Sequence, residues 1–231
     1  MLARTITAMA SLALLAGCAL SPQEIEMRPD PAVPAANVGH NAPVRVDVVD
    51  ERADPAFGTR GGVYKDTALI HPANDVNAAI REIVRNGLQK QGFNAYNPPR
   101  GEATGLTVHI ETLSYVPESG SVVNQVTTRA VLRAVAKRPE ATHRATFRSK
   151  VTHDTPFTPD ARRNEAMMND VLERSLQRLL SDPQLLAFLS GTDDPSAPAD
   201  TEADEDETGT ESEETGGDGP NTGEAESAAS S

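Results

Sequence analysis

Val126-Thr127-Thr128-Arg129-Ala130-Val131-Leu132-Arg133-Ala134-Val135-Ala136 is the stretch that decides the fold. Val126, Thr128, Ala130, Leu132, Ala134 and Ala136 share one parity, and Arg129, Val131, Arg133 and Val135 share the other. Period two with one apolar face is the signature of a strand lying on a core. Downstream, Ala145, Phe147, Ser149 and Val151 alternate with Arg144, Thr146, Arg148 and Lys150, and Arg138-Pro139-Glu140-Ala141 between the two runs reads as a hairpin turn. Upstream, Leu106, Val108 and Ile110 alternate with Thr107, His109 and Glu111. The phase slips before Leu113, the mark of a bulge or a strand end. Three long strands in sequence form most simply an antiparallel meander.

Outward from the meander the period changes. Val76, Ile80, Ile83, Val84, Gly87 and Leu88 fall on one helical face, with Asn74 or Asp75 as cap and Gly92 as the left-handed stop before Phe93. A second helix starts near Pro159-Asp160 with an apolar stripe of Met168, Val171, Leu172, Ser175, Leu176, Leu179 and Leu180. Asp182-Pro183 breaks and restarts it, and Leu185, Leu186, Phe188 and Leu189 anchor the last piece before Gly191. Val44, Val46 and Val48 predict a further half-buried strand, Phe93 to Tyr96 a short one. The expected fold is α+β in two layers: an antiparallel or mixed sheet of four to five strands with two helices packed on one face, in the order β-α-β-β-β-β-α.

The ends have a different character. Arg4 precedes a mostly apolar run from Ile6 to Leu15, and Leu15-Ala16-Gly17-Cys18 closes it. A basic start, a short apolar middle and small residues make an export signal, and about ten apolar residues fall short of the roughly twenty that span a bilayer. Leu-Ala-Gly-Cys resembles the lipobox of bacterial lipoproteins. That resemblance implies cleavage between Gly17 and Cys18, and covalent diacylglyceryl and N-acyl lipid on the Cys18 sulfur and amine. No other cofactor is expected. Ala19 is not the aspartate associated with inner-membrane retention, which favours the periplasmic face of the outer membrane. Residues 1–17 are then a signal peptide and 43–191 the globular periplasmic domain. Residues 18–42, with Pro22, Pro29, Pro31 and Pro34, read as a proline-rich tether reaching about 25–30 Å.

The formal net charge of −13 is carried by the last forty residues, which hold 14 Asp and Glu and no Lys or Arg. Without them and the signal the chain is close to neutral. Residues 192–231 have no apolar periodicity and read as a disordered acidic tail. With no tryptophan and 3% aromatic residues, neither a sugar-stacking nor a nucleic-acid-stacking surface is indicated, and no nucleic-acid partner is expected.

Val46-Asp47-Val48-Val49-Asp50-Glu51-Arg52 with Gly58 and Arg60, then Leu88-Gln89-Lys90-Gln91-Gly92-Phe93, then Leu179-Leu180-Ser181-Asp182 with Phe188-Leu189, stand in an order and spacing that resemble the YajG-like lipoproteins of Gram-negative bacteria. The resemblance runs from the lipobox to about Gly191 and implies an outer-membrane-anchored periplasmic domain with no assigned reaction. The acidic tail departs from it.

Candidate chemistry is sparse. His109 and Glu111 share the polar side of one strand, and a metal site would need further ligands such as His143 or His153 and Asp154; a solvated sheet face explains them as well. Ser119-Gly120-Ser121 reads as a turn. Asp50 and Arg52 pair and hold the next loop, or present it with Arg60 as a contact surface. The more informative feature is a basic row, Arg129, Arg133, Arg148 and Lys150, on the sheet face opposite the helices, with Lys137 and Arg144 near its ends. Clustered cations hold an anionic partner such as peptidoglycan, a lipid phosphate or an acidic protein; equally, charges on an outer face discourage wrong strand pairing. The reading is a non-enzymatic lipoprotein that binds the cell wall or an envelope protein. The alternatives are an accessory subunit of an envelope transport or assembly machine and, more remotely, a wall-acting enzyme.

Overall fold

The computed structural model describes residues 22–61, 67–99, 101, 103–118, 120 and 124–192, with the backbone of 200–203. The stretch read as a signal peptide, Cys18, Ser119, Ser121 and most of the acidic tail lie outside the described residues. The elements are β1 (Gln23–Ile25), β2 (Val44–Asp50), β3 (Gly58–Thr59), β4 (Leu69–Pro72), α1 (Val76–Lys90), β5 (Thr104–Glu118), β6 (Asn124–Arg138), β7 (Ala141–Thr155), α2 (Ala161–Ser181), α3 (Pro183–Ser190) and β8 (Asp200–Ala203).

The meander is as the alternation requires. β5, β6 and β7 are fifteen residues each and pair antiparallel throughout. The phase slip is a bulge: Ile110 faces Leu132 and Thr112 faces Val131, leaving Glu111 as the extra residue. Ile110, Leu132 and Phe147 share the inner face and are at most 1% exposed. All three helices cover this face. Leu176, Leu179 and Leu180 of α2 are wholly buried, Ser175 of α2 donates its hydroxyl to the Ala130 carbonyl on β6, and Gln91 at the end of α1 donates to Leu180 O at 2.6 Å.

Local signals set the helix ends. Asp75, not Asn74, caps α1 by accepting from Ala78 N. At its other end Phe93 N reaches Leu88 O and Gly92 N reaches Gln89 O around Gly92 at φ +87°, a pairing that satisfies the last carbonyls. Asp182 caps α3 ahead of Pro183, and Gly191 ends it.

The sheet is larger than expected. Eight strands join in the order β1-β4-β3-β5-β6-β7-β8, with β2 parallel to β5. Two strands share one edge of β5: β2 runs along Thr104 to Ile110, and after a loop the chain returns at Gly58 beside Tyr115. A Cβ on Gly58 would stand 2.1 Å from Tyr115 O, so only glycine permits that return. Phe93 to Tyr96 is not a strand; Asn94 makes a single bridge to Pro43. Asp200–Ala203, in the stretch read as disordered tail, pairs parallel with Arg144 to Phe147 at the β7 edge.

The largest correction concerns the tether. The described part of it, residues 22–42, is built into the domain, so the folded unit starts at 22 and not at 43. Ile25 and Met27 are fully buried, and Pro29 and Pro31 continue the same inward parity. β1 pairs parallel with β4. Side chains of α2 hold the segment's backbone: Glu165 accepts from Glu26 N at 2.8 Å, and Asn169 accepts from Arg28 N while donating to Glu26 O. Asn74 does the same to Met27 N and O. Ala36, Gly39 and Asn41 then donate to Lys90, Gln91 and Gly92 carbonyls at the end of α1. Prolines suit such a strap because the α2 side chains take the N–H groups of Glu26, Arg28 and Asp30, so Pro29 and Pro31 fall where no donor is needed.

Candidate functional site

The helices leave the opposite face of β5, β6 and β7 bare, and the basic row lies on it. Register places Arg129 directly across from Lys150, and Val131 across from Arg148. Arg129 is exposed; Arg148 and Lys150 are half-buried, their stems lying on the sheet. Like charges directly opposed across a strand pair repel, and Arg129 and Lys150 stand in that relation.

Arg133 belongs to something else. Its Nε donates to Glu111 Oε1 at 2.5 Å and its terminal nitrogen to Glu51 Oε2 at 2.6 Å, while Glu51 Oε1 meets His109 Nδ1 at 2.6 Å. The bulge presents Glu111 toward Arg133, and the parallel docking of β2 brings Glu51 over β5. Hydrogen bonding to His109, with help from its charge and that of Arg133, holds the Glu51 carboxyl below its ordinary value. The bond to Glu111 raises the Arg133 guanidinium further above its own. Four side chains thus form one bonded network, and Arg133 leaves the basic row for it. Sequence reasoning found His109, Glu111 and Arg133 separately but missed Glu51, which follows β2 in a loop. The one available signal was its place in Asp50-Glu51-Arg52.

His143 and His153 do not join His109. Both have the inner parity of β7, and His143 is stacked on Phe188 at 5.7 Å. Asp154 accepts from Gln125. Among the described residues no group of three His, Cys, Asp or Glu side chains is placed to hold a metal ion.

The loop after β2 is held as its charges suggested. Arg52 forms a two-pronged bond to Asp50 at 2.9 and 2.8 Å and lies over the Phe57 ring, with its side chain 6% exposed. Burial pushes the Asp50 carboxyl up, and the Arg52 bonds outweigh this to bring it below its usual value. Arg60 lies further on, at the rim of an open cleft of about 150 Å³ with Glu118, Asn124, Thr158 and Pro159.

Residues 29–190 match the family described as "Uncharacterized lipoprotein". The chain belongs to this family. The match begins within the strap, after β1 and Met27, and ends with α3, so it covers most of the folded body of the lipoprotein. No curated protein matches the lipoprotein's sequence. A solved structure described as "Crystal structure of uncharacterized protein" is similar at 10% identity and a TM-score of 0.38, over 70% of this chain and 95% of that one, too remote to inform fold or function. Among the described residues no helix is long and apolar enough to cross a membrane.

Proposed function

We propose that this lipoprotein is a non-enzymatic envelope protein, held at the periplasmic face of the outer membrane by lipid on Cys18, that binds an anionic cell-wall partner through the bare face of its sheet. The observation that carries the reading is the opposition of Arg129 and Lys150, flanked by Arg148, on a face that no helix covers. The neighbouring carboxylates bond Arg133 and His109, which fits a structural role for that part of the face. Family membership and Leu15-Ala16-Gly17-Cys18 support the anchor.

Sedimentation with purified sacculi tests it. The protein should pellet with them and be released by salt, because charge contacts of this kind are screened within about 10 Å at 0.1 M. Arg129→Glu with Lys150→Glu should weaken binding roughly two- to thirtyfold, from about 0.2–1 kcal/mol for each exposed pair lost. Undiminished pelleting of the double variant would overturn the assignment of the face. Recovery only in a stoichiometric complex with an integral membrane protein would overturn wall binding in favour of an accessory subunit of an envelope machine.

A further inference from the structure

The strap fixes which end of the domain meets the bilayer. Gln23 opens β1, and five residues of reach separate it from Cys18, at most about 18 Å at 3.3–3.6 Å each. A lipid on Cys18 therefore keeps the body against the headgroups, where a free tether of residues 18–42 would have let it turn.

Several elements converge on that end. Gln23 Oε1 accepts from Asn164 Nδ2 at 2.6 Å, in the first turn of α2. β7 closes there, with Thr155 donating its hydroxyl to Asn124 O at the opening of β6. The cleft between Arg60, Glu118, Thr158 and Pro159 ties the exit of β3, the end of β5 and the β7–α2 loop to the same place. From this loop projects Phe157, 82% exposed, the most exposed large apolar side chain among the described residues. Arg162 and Arg163 follow it, both exposed. An exposed aromatic ring followed within six residues by two exposed arginines is the composition of a surface that sits in a membrane interface. The turn at Pro139 and Glu140 lies at the opposite end of the long strands.

We propose that the β7–α2 loop is a membrane contact: Phe157 inserts among lipid headgroups and Arg162 and Arg163 engage lipid phosphates. The bilayer is then a second, non-covalent partner of this end, and the sheet face carrying Arg129 stands side-on to the membrane. The inference rests on lipidation of Cys18.

The absence of tryptophan from the chain supplies the probe. Phe157→Trp and Glu140→Trp proteins, produced with their own residues 1–17 and purified from host membranes, would be incorporated into phosphatidylethanolamine and phosphatidylglycerol vesicles, with and without brominated acyl chains. Both variants should float with the vesicles. Phe157→Trp should show blue-shifted emission and at least about twofold stronger quenching by brominated lipid than Glu140→Trp. If both float and are quenched alike, the membrane contact is overturned and the anchor stands. If neither floats, the anchor at Cys18 falls, and this inference falls with it.

Discussion

Met27→Ala separates a strap from a tether. Met27 is fully buried, nine residues after the cysteine, in a stretch whose prolines suggest solvent-exposed chain. Its backbone bonds to Asn74 survive the substitution, so the change isolates side-chain packing. Truncating a buried methionine to alanine costs about 2–5 kcal/mol, the lost transfer energy plus the cavity left behind. For a domain of this size each kcal/mol moves the thermal midpoint by roughly 2–4 °C, so about 3 kcal/mol corresponds to a fall of roughly 6–12 °C. The assay is thermal unfolding by circular dichroism of a soluble form that begins after Cys18. Exposed Glu24, on the outward parity of the same segment, is the control, and Glu24→Ala should stay within about 0.5 kcal/mol of the parent. A Met27→Ala midpoint no lower than that of the control would refute the strap, and with it the argument that the domain is held against the membrane.

Glu51 gives a pH dependence of known sign. Its carboxyl is depressed in the folded state, first by the bond to His109, so the unfolded chain takes up the proton earlier as pH falls. The stability it lends is complete above the ordinary value of 4.5 and is lost as pH drops through the lower folded value. His109→Ala should therefore lose less stability than the parent as pH falls below 4.5 in urea titrations; equal losses would remove the network from the acid response. Deleting residues 193–231 uncovers the β7 edge from Arg144 to Phe147, and an open edge invites pairing with another chain. Light scattering after gel filtration should show more high-mass species than for the full chain at equal concentration, and matching profiles would show that β8 does not guard the edge.

Where one local rule governs, the sequence was legible. The three long strands announce themselves by alternation, and the bulge at Glu111 by a slip in it. Asp75, Asp182, Gly92 and Gly191 mark helix ends by side-chain chemistry that needs no tertiary partner. The strap was misread because proline counts as a breaker, although Ile25, Met27, Pro29 and Pro31 alternate with Glu26, Arg28 and Asp30 as a half-buried strand does. Its hydrogen bonds come from Asn74, Glu165 and Asn169, far along the chain, and no local pattern announces them. The candidate face was half legible for the same reason. Parity put Arg129, Arg133, Arg148 and Lys150 on one side, but the partner that takes Arg133 out of the row follows β2, and only the parallel docking of β2 against β5 brings Glu51 within reach.

The location assigned to the protein and the membrane contact of its β7–α2 loop both depend on lipid at Cys18. Intact-mass and peptide mass spectrometry of the protein isolated from native membranes tests this directly. The account requires a chain that starts at Cys18, lacks residues 1–17 and carries the mass of a diacylglyceryl group with a further acyl chain. A chain that keeps its first 17 residues, or begins elsewhere with an unmodified thiol, would contradict it.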